Sequence, residues 1–117
     1  MNMPNKISIL IEDAIFAFSI GEDEKAEKIL LGVVDENKNC LEAYRALAEV
    51  SLTLDKLQQA EEACRSALLI NSEDLTSVVS LARILVRRGD KDGAEEASAK
   101  ARILGWKEEL AEDEVSE

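Results

Sequence analysis

Histidine is absent from this chain, proline occurs once, and aromatic residues make up only 3% of its 117 positions. With no imidazole there is no general base of the usual kind for a thiol or hydroxyl nucleophile, and no nitrogen ligand to complete a zinc site. The two cysteines, Cys40 and Cys64, form no CxxC pair, so neither a metal knuckle nor a disulfide framework is expected. Cys40, near a helix N-terminus, and Cys64, on an apolar helix face, read as a loop thiol and a core residue. No phosphate-binding glycine loop and no serine elbow are present, so the inventory supports neither an enzyme nor a cofactor. The N-terminal run MNMPNKISILIEDAIFAF is broken by Glu12 and Asp13, which fits neither a signal peptide nor a membrane span. A cytoplasmic location is the expectation.

Bases are outnumbered by acids. Fourteen Lys and Arg face 25 Asp and Glu, for a net charge of −11. Six of the acids fall in residues 108–117, where there is no base. An acidic body repels phosphate backbones and anionic lipid, so neither nucleic acid nor membrane is expected as a partner. What is abundant is Ala, Leu, Glu and Lys, in a chain that is 46% apolar and 33% charged, with the two classes interspersed. That composition favours helices packed into one domain.

The positions of the small residues reveal an internal repeat. Ala26, Ala60 and Ala94 are 34 residues apart, as are Ala14, Ala48 and Ala82, and Gly21, Asp55 and Gly89. Leu47 with Leu81 and Ala67 with Ala101 keep the same spacing. Each unit reads as two helices. First helices are expected over about 5–20, 41–54 and 74–88, and second helices over about 23–37, 57–70 and 91–104. The alanines mark where two helices approach closely. Caps are expected at Asn39 with Glu42, at Asp55 with Gln58, and at Asn71 or Ser72. The tripeptide Arg88-Gly89-Asp90, familiar as an adhesion signal, falls on the third turn of the series. There Gly89 can take a positive φ and Asp90 can cap the next helix. Gly93, just inside that helix, costs it about 0.5–1 kcal/mol relative to Ala on propensity alone.

A 34-residue helical hairpin carrying these residues resembles the tetratricopeptide repeat. The second unit matches best, with Tyr44, Leu47, Ala48, Asp55, Ala60, Cys64 and Ala67. The third follows with Val78, Leu81, Ala82, Gly89-Asp90, Ala94, Ser98 and Ala101. The first gives Leu10, Ala14, Gly21-Glu22, Ala26, Leu30 and Val33, with Asp13 where the pattern carries Leu. The resemblance implies an all-α, right-handed α-α superhelix of three repeats, at about 5–38, 39–72 and 73–104. A short capping helix is expected over about 106–113, laying Trp106 and Leu110 on the last repeat. Together these make one domain over 5–114, with flexible ends at 1–4 and 115–117.

The resemblance also implies a concave groove, lined by the first helices, that binds a peptide or helix of another protein. Groove candidates are Ile11, Ile15 and Phe18 in the first unit, Arg45 and Glu49 in the second, and Arg83 and Arg87 in the third. The apolar trio is either core packing or a seat for a partner helix. Arg45 and Glu49, one turn apart, can pair with each other. Arg83 and Arg87 either find an acid on the neighbouring repeat, Glu49 being placed for it, or hold a carboxylate of the partner. Family members that grip chaperone C-termini use Lys, Asn, Asn, Lys and Arg. The matching positions here are Ile11, Ile15, Ala46, Thr76 and Ser80, which do not fit. The expected role is an adaptor or assembly factor. Alternatives are a small secretion-type chaperone holding one aggregation-prone subunit, or self-association through the N-terminal stripe.

Overall fold

The computed structural model describes residues 5–115. Six helices follow one another: α1 Lys6–Ser19, α2 Asp23–Glu36, α3 Leu41–Thr53, α4 Leu57–Ile70, α5 Leu75–Arg88 and α6 Lys91–Val115. They pair as hairpins α1–α2, α3–α4 and α5–α6, and the hairpins stack through α2 on α3 and α4 on α5. Among the described residues, α1 also approaches α3, and α3 approaches α5, while α2, α4 and α6 do not approach one another. The first helices therefore crowd on one side and the second helices splay on the other, which curves the stack and makes its α1–α3–α5 side concave. The extents of 44 × 36 × 26 Å and a radius of gyration of 15.4 Å fit such a stack. A sphere-like domain of this length has a radius of about 13 Å.

The repeat is visible in the turns. After α1, α3 and α5 the amide N–H groups of Glu22, Lys56 and Asp90 donate to the carbonyls of Ala17, Ser51 and Leu85 at 2.8, 2.8 and 2.9 Å. These are the same six-to-one closures, each 34 residues on. The closing residue is left-handed in all three: Gly21 at φ 84°, Asp55 at φ 60° and Gly89 at φ 80°. Asp55 is thus the end of α3, and the expected Asp55–Gln58 capping box is replaced by an α4 whose N-cap, Lys56, makes no side-chain cap. Asn39 likewise does not cap: Cys40 precedes α3 without a side-chain bond. The cap of α5 is Asp74, which accepts from the Ser77 amide at 3.2 Å, rather than Asn71 or Ser72. Asp90 accepts from the Gly93 amide at 2.9 Å, as expected of the turn reading. A β-carbon on Gly93 would collide with that carboxylate, so glycine here keeps the cap and its propensity cost is offset.

Close approach explains the alanines. Ala14, Ala26, Ala48, Ala60 and Ala67 are all buried, and Cys64 lies among them with its thiol pushed up to about 12, first by burial. Leu47 and Leu81 are buried as well, because α2 and α4 cover them, whereas Asp13 at the same position of α1 is exposed.

The separate capping helix is not formed. α6 runs unbroken through Gly105 to Val115, leaving Trp106 64% exposed and Leu110 equally open. A reversal would need a left-handed residue or a proline at the break, and residues 101–112 supply helix formers instead. Lys107 ties the prolonged helix to Glu73 at 3.1 Å. The flexible ends expected at 1–4 and beyond Val115 lie outside the described residues, while Val115 itself is the last residue of α6.

Candidate functional site in the concave groove

Two surfaces of different chemistry meet along the concave side. Between α1 and α3 is a hollow of about 270 Å³, walled by Ala14, Ile15, Phe18, Leu30, Ala46 and Val50. Glu42, Arg45, Glu49 and Thr76 form its rim. The first helices bring these together because Ile15 and Phe18 sit a turn apart on α1, facing residues 46 and 50, a turn apart on α3. Ile15 is 48% exposed and Phe18 half-buried, so the hollow opens to water. Ile11, expected beside them, is only 3% exposed and belongs to the core between the hairpins.

Between α3 and α5 the groove is closed by a ladder of ion pairs. Arg45 reaches across to Asp74, with Nε 2.9 Å from Oδ2 and Nη2 on Oδ1. The fork-on-fork geometry uses both carboxylate oxygens. Arg45 holds the Asp74 carboxyl below the usual carboxylate range, against the opposing effect of burial, and Asp74 raises the guanidinium in return. One turn along, Glu49 accepts from Ser80 Oγ at 2.7 Å and from Arg83 Nη1 at 3.1 Å. Arg87 closes the series, donating to the Leu52 carbonyl at 3.2 Å and to Asp55 Oδ1 at 2.6 Å.

Each of the three arginines therefore has a carboxylate from this chain. Arg83 takes Glu49, the partner that the register of the repeats pointed to. Arg45 and Glu49 do not pair with each other: both reach outward from α3 to α5. The partner of Arg45 was hidden in the sequence, because Asp74 is 29 residues away and reaches α3 only when the hairpins stack.

A second polar cluster was missed altogether. Glu27, buried on α2, accepts from Lys56 Nζ at 2.7 and 2.9 Å and from Gln59 Nε2 at 2.8 Å, and Gln59 also donates to Ser51 Oγ. The Lys56 bond, then Gln59, lowers its carboxyl against the effect of burial. Its one signal in the sequence is an acid inside the apolar stripe of Ala26, Leu30 and Val33.

The arrangement has known parallels. A crystal structure of MamA matches it with a TM-score of 0.82 and 25% identity, covering 86% of this chain and 59% of that one. The second TPR of Spaghetti (RPAP3), solved with the HSP90 peptide SRMEEVD, matches at a TM-score of 0.81 and 15% identity, covering 86% and 93%. The Yersinia enterocolitica type III secretion translocator chaperone SycD matches at 0.81 and 15%, covering 87% and 77%. The fold is that of a tetratricopeptide-repeat domain. No protein-family model matches the sequence, and no curated protein matches it. The chain spans under two thirds of MamA's length.

The surface differs from the carboxylate clamp of the tetratricopeptide domains that grip chaperone C-termini. Of the five clamp positions, Ile11 is in the core, Ile15, Ala46 and Thr76 line the apolar hollow, and Ser80 is committed to Glu49. Where the clamp would present Lys, Lys and Arg, this chain has a buried isoleucine and two hydroxyls, Ile11, Thr76 and Ser80.

Proposed function

We propose that this chain is a protein-interaction module that holds a segment of another protein by seating a large apolar side chain in the hollow between α1 and α3. The observation that carries the reading is the hollow itself: an open, apolar recess on the concave side, walled by Ile15, Phe18, Leu30 and Val50. Burying one leucine- or phenylalanine-sized side chain there contributes ~1.5–3 kcal/mol, a large share of the ~4 kcal/mol that a millimolar peptide complex requires. Arg45 and Glu49 on that rim, tied to Asp74 and to Ser80 with Arg83, hold the rim's shape. Arg83 and Arg87, neutralised by acids of this chain, act as the wall of the groove, and their exposed edges accept at most a supplementary contact.

The same apolar lining favours a chaperone-type role over a carboxylate-reading adaptor, since hydrocarbon recognises an aggregation-prone segment without reading its terminus. The net charge of −11 argues against nucleic acid and anionic membrane as partners. Among the described residues no helix is long and apolar enough to cross a membrane. Two free thiols fit a reducing, cytoplasmic setting.

Selection from a random peptide library tests the proposal. Enriched peptides should share one large apolar residue, and Ile15→Asp, a change at a half-exposed position, should abolish their binding while leaving the melting temperature nearly unchanged. Enrichment of acidic C-termini, with binding indifferent to Ile15→Asp, would overturn it.

A further inference from the structure

Among the described residues, the two ends of the stack lack the neighbour that the inner helices have. On α1, Ile9, Phe16 and Ile20 are exposed, Phe16 at 65%. The residues 34 and 68 positions further on are Ala43 and Ser77 for Ile9, and Val50 and Ile84 for Phe16. All four are at most 1% exposed. They are covered because α2 packs on α3 and α4 on α5. Among the described residues α1 has no such neighbour. The other end of the stack has a hollow of about 510 Å³ lined by Val86, Gly89, Lys91, Ala94, Glu95, Ser98 and Arg102. Val86 and Ser98 are the counterparts of Phe18 and Leu30, which line the first junction together with Val50.

We propose that a second copy of this chain docks head to tail, its α1 face seated on the α5–α6 end of the first. Two observations select a second copy. The first is size. In the first junction Leu30 shares a hollow with Val50. The corresponding pair in the second junction is Cys64 and Ile84, both fully buried. The pair formed between copies is Ser98 and Phe16. As the seat shrinks from Leu to Cys to Ser, the inserted side chain grows from Val to Ile to Phe, which keeps the filled volume nearly constant.

The second observation is charge. Leu68 and Leu81 line one recess at the second junction. Their counterparts between copies are Arg102 and Asp13, of opposite sign. Asp13 is the residue at which the first repeat departs from the leucine of the other two, and the departure is explained if it meets a base. Such a contact is heterologous, so it extends copy by copy instead of closing at two.

Sedimentation velocity of the full chain from micromolar to millimolar concentration is the test. The average mass should rise with concentration past that of a dimer. Phe16→Asp should raise the dissociation constant about tenfold or more. Asp13→Arg should also weaken association, and Asp13→Arg combined with Arg102→Asp should restore it. Circular dichroism should show every variant folded, because these side chains are exposed in the single copy. A monomer at all concentrations, a mass unaffected by Phe16→Asp, or a charge swap without recovery would overturn the proposal. Peptide binding by the groove is independent of these variants, so failure here and failure of the groove reading are separable.

Discussion

The junction between the first and second hairpins and the junction between the second and third have the same backbone geometry and opposite chemistry. On the concave side the first is apolar and open, a hollow between Ile15, Phe18, Ala46 and Val50. The second is polar and closed, with Asp74, Glu49 and Asp55 each holding an arginine. The repeat register puts Ile11 and Ile15 where Arg45 and Glu49 stand one unit later, and Cys40 and Ala46 where Asp74 and Ser80 stand, so the first junction lacks the groups that tie the second together. A stack of equivalent units can thus close one junction on its concave side and leave its neighbour open.

The contrast can be broken most forcefully at Asp74. It caps α5 and anchors Arg45 at once, so Asp74→Ala should cost about 2–3 kcal/mol by urea denaturation, combining a lost cap with a lost charge-assisted pair. Ile15→Asp, at the open junction, should cost far less. Equal losses at the two sites would show that the junctions do not differ in kind.

Acid should act next. The carboxyls of Asp74 and Glu27 are both held below their ordinary ranges, by Arg45 and by Lys56 respectively. A group depressed in the folded state contributes stability that is complete above its unfolded pKa and lost as pH falls through its folded pKa. Stability should therefore be level around neutral pH and fall on acidification below the ordinary carboxylate range. Asp74→Asn should flatten that acid limb, as followed by thermal melts across pH. A limb of unchanged steepness would place the acid sensitivity elsewhere.

The smallest effect should be at Arg87. Its pair with Asp55 is exposed on both sides, at 47% and 72%, and such pairs contribute about 0–1 kcal/mol. Arg87→Gln should lower stability within that range, measured by urea denaturation, and leave peptide binding at the hollow intact.

Much of the scaffold was legible because the turns are written locally. The series Gly21, Asp55 and Gly89 marks three left-handed closures, and the helices they bound fall within about a residue of the spans read from spacing. α6 was not legible in the same way: Gly105 resembles a stop, yet a glycine that stays helical stops nothing, and the following residues propagate the helix. The pairing of Arg83 with Glu49 could be read because both obey the 34-residue register. The pairing of Arg45 with Asp74 could not, since a sequence places Glu49 one turn away and gives no sign that stacking will bring a cap residue closer. The sequence leaves Ile11 open between core and groove for a related reason, and it lies in the core. Helical spacing puts it in line with Ile15 and Phe18, but only packing decides which members of an apolar stripe face the next hairpin and which face water.

The most direct measurement is a titration of the isotope-labelled chain with a peptide taken from the library selection, followed residue by residue through amide chemical shifts. The account predicts that the changes gather at Ala14, Ile15, Phe18, Ala46 and Val50, with Arg83 and Arg87 left nearly unmoved. Changes centred on Arg83 and Arg87, or on the α2–α4 side, would contradict it.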